Sequence, residues 1–215
     1  MRALRLWGFV LAAVVLTAAS QPSQWTRTQA LAALVQPVPV ARLAGVERLA
    51  EIGVMADADR VLDRLGDTDP QVRLAAQAAI WRIWSRSGNL EIDKLFAQGL
   101  QLMQASALDD ALTTFNEIVS RKPEFAEGWN KRATIYFLLG QPEKSLADCD
   151  EVFKRNPRHF GALSGAGQIH LQLGNPRRAL EFLRRAVEVN PNLDGAAQII
   201  PLLEQHLHKV DRRSI

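Results

Sequence analysis

Apolar residues recur at helical spacing along most of this chain, with polar residues between them. In the stretch before residue 90, three segments each place their apolar side chains largely on one helix face, at residues 42–53, 57–65 and 67–84. Asp69 and Pro70 suit the start of the third segment, because aspartate caps a first turn and proline tolerates the first helical position. The pattern predicts at least three helices in this region.

From about residue 92, the pattern repeats every 34 residues. Pro123, Pro157 and Pro191 mark this spacing. Other columns keep the same register, and all but the one that ends in His170 hold apolar or small residues: Leu95, Trp129, Leu163; Gly99, Ala133, Gly167; Leu102, Tyr136, His170; Ala111, Ser145, Ala179; Phe115, Cys149, Leu183; Ile118, Val152, Ala186. Each unit indicates two helices whose apolar columns share a face and whose small columns allow close approach.

Glycine and proline mark the turns inside the units. Gly140 and Gly174 lie where a first helix must stop, since glycine readily adopts the left-handed conformation there. Pro142 and Pro176 follow two residues later and suit the first turn of the next helix. Ser106 replaces the glycine in the first unit, so that turn departs from the pattern.

The 34-residue period with these columns resembles the tetratricopeptide repeat. The resemblance implies three repeats, at about 90–123, 124–157 and 158–191, stacked as helical hairpins in a right-handed superhelix with a concave peptide-binding face. Residues 192–215 are expected to form a capping helix and tail, which Pro201 should kink or divide.

The region before the repeats is predicted to extend the solenoid. Residues 42–89, and "DTDPQVRLAA" in particular, resemble a HEAT-like repeat; the other interpretation is a helical extension that caps the solenoid. In either case these helices are expected to stack on the first repeat. Residues 21–41 are predicted to be a partly ordered leader with one short helix at 27–35. The predicted fold class is all-α.

The first twenty residues have the composition of a secretory signal peptide. Arg2 and Arg5 precede a fourteen-residue apolar run at 6–19, and cleavage after Ala19 or Ser20 fits small residues at the junction. The run is shorter than the roughly 20 residues of a membrane span. We expect export, into a bacterial periplasm. The alternative is an uncleaved anchor helix, which would make the protein a membrane-tethered assembly factor.

Removal of this segment changes the charge balance. The whole chain has 26 basic and 23 acidic residues; without Arg2 and Arg5 the balance is 24 to 23. Nucleic-acid binding therefore loses its electrostatic support. Four arginines do cluster in the third repeat, at 177, 178, 184 and 185. A solvated outer face is the favoured interpretation, and an acidic partner or membrane surface is the other.

The residues with catalytic chemistry do not form a recognisable site. Cys149 occupies an apolar column, so it is expected to pack as a small hydrophobe. Asp148 and Asp150 are expected to face away from it, and His170 to pack with one edge hydrogen-bonded. His206 and His208 point about 200° apart on a helix, which is poor for one metal. No enzyme activity, metal or cofactor is expected; an enzyme using Cys149 or a histidine is the least favoured alternative.

The resemblance also implies which residues line a partner groove. The inner positions offer Phe96, Leu100, Met103, Asn130, Thr134, Phe137, Gln168 and Leu171. The family's carboxylate clamp is absent, because Lys131, Gly161 and Gly165 stand at three of its positions. We therefore expect a non-catalytic adaptor for a protein or peptide, with no small-molecule substrate and membrane contact only through an uncleaved N-terminus. The alternative is that these residues only pack between helices or face water.

Overall fold

The structure is a computed structural model, and it describes residues 21–213. The predicted signal peptide, residues 1–20, lies outside the described residues. The described part is helical and contains no strand, which confirms the all-α prediction. Its α-helices are α1 (Arg27–Ala33), α2 (Pro39–Ile52), α3 (Ala58–Leu62), α4 (Pro70–Trp84), α5 (Leu90–Gln104), α6 (Leu108–Arg121), α7 (Ala126–Leu138), α8 (Pro142–Arg155), α9 (Phe160–Gln172), α10 (Pro176–Val189) and α11 (Asp194–Arg213).

Helices α5 to α10 form three consecutive hairpins: α5 with α6, α7 with α8, and α9 with α10. Each hairpin packs on the next through neighbouring helices, which makes a solenoid. The small columns allow the close approach expected of them. A Cβ at Gly99 would lie 2.6 Å from the ring of Phe115, and one at Gly167 would lie 2.7 Å from Leu183.

The turns inside the hairpins share one backbone geometry. Gly140 and Gly174 have φ of 70° and 71°, as the sequence predicts for a left-handed helix end. Ser106 has φ of 58° at the equivalent position, so the first hairpin makes the same turn without glycine. Pro142 and Pro176 occupy the first positions of α8 and α10, also as predicted.

The region before the hairpins contains α1 to α4, and its hydrophobic cluster, which includes Val46, Leu49 and Ile80, also contains Phe160 of α9. Asp69 accepts hydrogen bonds from two backbone N–H groups at the start of α4, which confirms the predicted cap. The segment expected to be a single helix at 57–65 instead forms 3-10 turns at Met55–Asp57 and Asp63–Gly66 on either side of α3.

Two ion pairs link the segments of this region. Arg42 makes two hydrogen bonds of 2.7 Å to the carboxylate of Asp67, and both side chains are buried. Arg27 contacts Asp57, which is also buried. Because an unpaired buried carboxylate is very unfavourable, these pairs fix how the N-terminal segments lie against each other.

Helix α11 follows the third hairpin as one continuous helix through Pro201. Of the two outcomes expected at Pro201, a kink or a division, the division does not occur. Ala196 before the proline and Leu203 and Leu207 after it are buried in one cluster with α10. Packing on both sides of Pro201 holds the two halves in a single helix despite the missing N–H. Across residues 21–213, no helix is long and apolar enough to span a bilayer.

Candidate partner-binding groove

A narrow cleft lies between the inner helices α7 and α9, and we call it the α7–α9 cleft. Small residues form much of its wall, including Ala133, Ala162 and Gly165. Ser145 and Cys149 of α8 lie at its floor, where the Ser145 hydroxyl donates to the carbonyl of Ala133 at 2.7 Å. The cleft has a volume of about 120 Å³, so it suits an inserted side chain or a short backbone segment.

Four of the residues predicted for the groove line this cleft: Asn130, Thr134, Phe137 and Gln168. Thr134 and Gln168 are exposed, and Phe137 is half-buried. A Cβ at Gly165 would meet no atom within 4 Å, so the cleft is open at that point. The arrangement therefore offers an apolar ring, an exposed amide and a hydroxyl around open space.

Asn130 is already engaged in hydrogen bonds. Its side-chain N–H₂ group donates to the two carboxylate oxygens of Glu127, at 3.1 and 3.2 Å, and Asn130 is buried. Its backbone carbonyl accepts from the Thr134 hydroxyl at 3.0 Å. Asn130 thus shapes the wall of the cleft, and its amide N–H₂ is directed to Glu127.

The other four predicted groove residues lie elsewhere. Phe96 is buried between Phe115 and Phe125 in the core of the first hairpin, so its assignment to an open groove is corrected. Leu100 and Met103 are half-buried against the same core. Leu171 packs with α10 and α11. The inner face of the first hairpin therefore contributes mainly to packing.

A buried polar cluster, which the repeat pattern does not predict, lies at one end of the cleft. His159 Nε2 lies 2.8 Å from Glu127 Oε2, and both side chains are fully buried. His159 Nδ1 accepts from the backbone N–H of Ala162, so Nε2 carries the proton that Glu127 accepts. Lys131 lies 3.0 Å from Glu127. Burial alone would raise the pKa of Glu127, but His159 and Lys131 outweigh it and lower that pKa.

The 34-residue repeat gives one sign of this cluster in the sequence. His159 occupies the column that holds Phe125 and Leu193 in the neighbouring units. A histidine in an apolar column requires a buried partner, and Glu127 supplies it. Nothing in the sequence spacing identifies that partner, because Glu127 belongs to the preceding unit.

Two tryptophans of α4 cover the end of the α7–α9 cleft where this polar cluster lies. The ring of Trp84 stacks on His159 with centroids 4.2 Å apart, and Trp81 packs edge-on against Phe160. A Cβ at Gly161 would overlap the ring of Trp81. The N-terminal region therefore packs on the start of α9 in the third hairpin, and Lys131 of α7 in the second hairpin lies over the Trp81 ring. The predicted stacking on the first repeat is corrected accordingly.

The chemistry at Cys149 is that of a packed thiol. Cys149 is 3% exposed, and burial, with the charges of Asp148 and Asp150, raises its pKa to about 12. Asp148 is itself buried and receives two hydrogen bonds of 2.7 Å from Arg132. The ion pair with Arg132 compensates the burial of the Asp148 carboxylate.

The remaining candidate ligands are scattered. His170 stacks on Phe182, and its buried Nδ1 has no hydrogen-bond partner among the described residues, so the expected hydrogen-bonded edge is not observed there. Burial lowers the pKa of His170. Within residues 21–213, no group of three or more His, Cys, Asp or Glu side chains is placed to hold a metal.

The arginine cluster of the third hairpin is largely paired. Arg177 contacts Asp211, Arg178 contacts Glu181 and Arg184 contacts Glu204. The fourth arginine, at position 185, packs over two phenylalanine rings. These exposed pairs are compatible with a solvated outer face, as the sequence analysis favours.

Comparisons with known proteins match the hairpin region. Two family models, both described as tetratricopeptide repeat, match residues 96–153 and 136–199. A TPR repeat-containing protein of Rhizobium etli is 28% identical over 207 residues, which cover 96% of this chain and 98% of that protein.

Solved structures share the architecture. The first TPR domain of Spaghetti (RPAP3), bound to the HSP90 peptide SRMEEVD, has a TM-score of 0.52 at 21% identity and covers 54% of this chain and 93% of its own. The Yersinia enterocolitica type III secretion chaperone SycD, in complex with a peptide of the translocator YopD, has a TM-score of 0.50 at 13% identity and covers 59% of this chain and 97% of its own. At these identities the likeness concerns the fold.

Proposed function

This chain is a tetratricopeptide repeat protein, and we propose that it is a non-catalytic interaction module that binds a peptide or helix of a partner protein in the α7–α9 cleft. The main support for this proposal is the open space at Gly165, which lies beside Phe137, Thr134 and Gln168. Phe137 offers apolar contact, and the exposed hydroxyl and amide offer hydrogen bonds to a partner backbone.

The ligands of two structural neighbours support this choice of partner. The RPAP3 domain holds an HSP90 peptide, and SycD holds a peptide of YopD. The partner of this chain is expected to differ from the first of these, because the clamp for a peptide carboxylate is absent. Lys131, which stands at one clamp position, forms an ion pair with Glu127 instead.

The covered end of the groove limits where a partner can lie. Trp81 and Trp84 already occupy the starts of the inner helices, so a partner has access to the part of the cleft from Asn130 towards Phe137. A short recognition segment, rather than a ligand along the whole inner face, is therefore the occupant we propose.

Export to a periplasm is part of the proposal and is supported by the basic and apolar composition of residues 1–20. Mass spectrometry of the protein from its own cells tests it. A mature N-terminus near residue 20 or 21 is expected. An intact N-terminus on a membrane-bound protein would favour the tethered assembly factor instead.

A leucine at Gly165 tests the groove. Because a Cβ at Gly165 meets no atom within 4 Å, Gly165→Leu should fill the cleft without disturbing the fold. Gly195→Leu is the matched control: Gly195 is also helical with open space at its Cβ, but it lies on α11 outside the cleft. Both changes replace a helical glycine, so both should maintain or raise stability.

Partners are first captured by brief cross-linking in cells, and the binding segment is then titrated calorimetrically against the three proteins. We expect Gly165→Leu to weaken binding by roughly tenfold or more, since it occupies the space of a buried contact. Gly195→Leu should bind like wild type. Equal affinity of all three proteins would exclude the α7–α9 cleft as the binding site.

A further inference from the structure

A second cleft, which we call the junction cleft, lies where the N-terminal region meets the second hairpin. Its walls include Met55, Trp84, Arg86, Phe125 and Asn156, and its volume is about 220 Å³. That volume is below the roughly 300–1,000 Å³ of pockets for drug-sized ligands, so it suits a small acid or one end of a longer molecule. The residues that line the α7–α9 cleft do not contribute to it.

Two side chains of the junction cleft carry buried nitrogens that lack a hydrogen-bond partner among the described residues: Trp84 Nε1 and Asn156 Nδ2. Trp84 is 3% exposed and Asn156 is 6% exposed. The indole nitrogen can only donate, and an amide N–H₂ is likewise a donor. Buried polar groups in folded proteins are nearly always hydrogen-bonded, so these two donors would favour an acceptor group placed in the cleft.

The charges around the cleft favour the same kind of ligand. Arg86 donates to the backbone carbonyls of Gly53 and Ala50 and forms no salt bridge within the described part of the chain. Burial, followed by repulsion from Arg82, lowers the pKa of Arg86. The charge of Asp93 opposes these effects, and a bound anion would oppose them further by stabilising the charged guanidinium.

The other charged groups that line the cleft already have partners. Glu124 pairs with Lys122, Glu127 pairs with Lys131, and Arg155 pairs with Glu151. The acids of the cleft are therefore neutralised by their own cations, and Arg86 is left as the positive group that a ligand can compensate.

We propose that the junction cleft binds an oxyanion, a carboxylate or a phosphate, attached to a small apolar group. Trp84 Nε1, Asn156 Nδ2 and the Arg86 guanidinium supply the donors for the oxyanion. Phe125, Met55 and the Trp84 ring supply apolar surface for the attached group. This site is independent of the proposed peptide groove.

Benzoate, phenyl phosphate and neutral benzamide are the probes that test this proposal, by ligand-detected NMR titration of the full chain at low and high salt. We expect saturable binding of benzoate or phenyl phosphate that salt weakens, and no binding of benzamide. Benzoate alone would identify a carboxylate site, phenyl phosphate alone a phosphate site, and both a general oxyanion site.

Asn156→Leu removes the orphan amide while keeping its approximate volume. We expect oxyanion binding to weaken on the order of tenfold, while thermal stability stays constant or rises because a buried unpaired amide is lost. Asn190→Leu is the matched control, one repeat later. Asn190 donates to Gln77, so its loss should lower stability without changing oxyanion binding.

Trp84→Phe provides a second variant, which removes the indole N–H and retains a ring. It too should weaken binding. The proposal is overturned if neither anionic probe binds, if benzamide binds as well as benzoate, or if Asn156→Leu and Trp84→Phe both bind like wild type.

Discussion

Whether a single side chain in this chain is buried depends on its repeat column and on the residue that pairs with it. Cys149 replaces the phenylalanine and leucine of neighbouring units, and its burial could be predicted from that column. Asp148 could not be predicted in the same way, because its burial depends on Arg132 from the other helix of the hairpin. The burial of His159 depends in the same way on Glu127, which belongs to the preceding unit. Periodicity identifies buried apolar positions, but it does not identify the partner of a buried charge.

Cys149 should be unreactive in the folded protein. Its pKa of about 12 leaves almost no thiolate at pH 8, and its side chain is buried. We expect a thiol reagent such as Ellman's reagent to react negligibly with native protein and to titrate one equivalent after unfolding in guanidinium. Rapid reaction of the native protein at pH 8 would contradict this account of the thiol.

The Arg42–Asp67 pair should make the N-terminal region sensitive to acid. The hydrogen bond from Arg42 lowers the pKa of Asp67 despite burial of the carboxylate. A lowered folded-state pKa means that the stabilisation is present above the unfolded pKa of about 3.9 and is lost as the pH falls through the folded value.

Asp67→Asn should therefore lower the free energy of unfolding by about 3 kcal/mol at pH 7, since it leaves Arg42 buried without its charge partner. Denaturant titrations should show that this difference shrinks below about pH 4. Glu91→Gln removes an exposed carboxylate that pairs with Lys94 and should cost less than about 1 kcal/mol. A pH-independent difference for Asp67→Asn would exclude this explanation.

At the scale of elements, the repeat predicts the helices and their turns well, because both follow local chemistry. Gly140 and Gly174 adopt the left-handed conformation that glycine allows. The sequence gives no comparable guide where packing overrides local preference. Helix α11 runs through Pro201 because its apolar face is buried on both sides of the proline. Around α3, the predicted helix is broken by 3-10 turns, for which the contacts give no single cause.

The first hairpin turn should be improved by glycine. Ser106 has φ of 58°, a conformation that costs an ordinary residue about 1–2 kcal/mol. After allowance for the greater flexibility of unfolded glycine, Ser106→Gly should raise the free energy of unfolding by about 0.5–1 kcal/mol. Chemical denaturation measures this gain.

The reverse change supplies the control for that turn. Gly140→Ser places a side chain at the same left-handed position in the second hairpin, where φ is 70°. It should lower stability by a similar amount. If Ser106→Gly were neutral while Gly140→Ser was destabilising, the two turns would not be energetically equivalent.

At the scale of the whole molecule, the chain packs its N-terminal region onto its own groove. Trp81 and Trp84 contact α9, and Gln77 and Asn190 are joined by a hydrogen bond across 113 residues of sequence. The sequence predicts α4 but not where it lies, because a contact between distant segments leaves no periodic signal. For the same reason, periodicity does not predict which groove candidates meet in space. Phe96 is buried in the core, whereas one cleft is lined by Asn130, Thr134, Phe137 and Gln168.

Two glycines four residues apart on α9 test this packing. A side chain at Gly161 would overlap Trp81, whereas one at Gly165 would enter open space. Gly161→Leu should lower the free energy of unfolding by about 1–3 kcal/mol through overpacking. Gly165→Leu should raise it by up to about 1 kcal/mol through helix propensity. Equal effects in urea denaturation would show that α4 does not lie on the start of α9.

Site-specific photo-cross-linking in cells that make the protein tests whether a partner binds in the α7–α9 cleft. A photoreactive amino acid at Gln168, exposed in the α7–α9 cleft, is compared with one at Gln205, exposed on α11. We predict a discrete protein adduct from position 168 that Gly165→Leu abolishes, and no such adduct from position 205. An adduct from position 205 alone, or one from position 168 that survives Gly165→Leu, would contradict the assignment of this cleft as the partner-binding site.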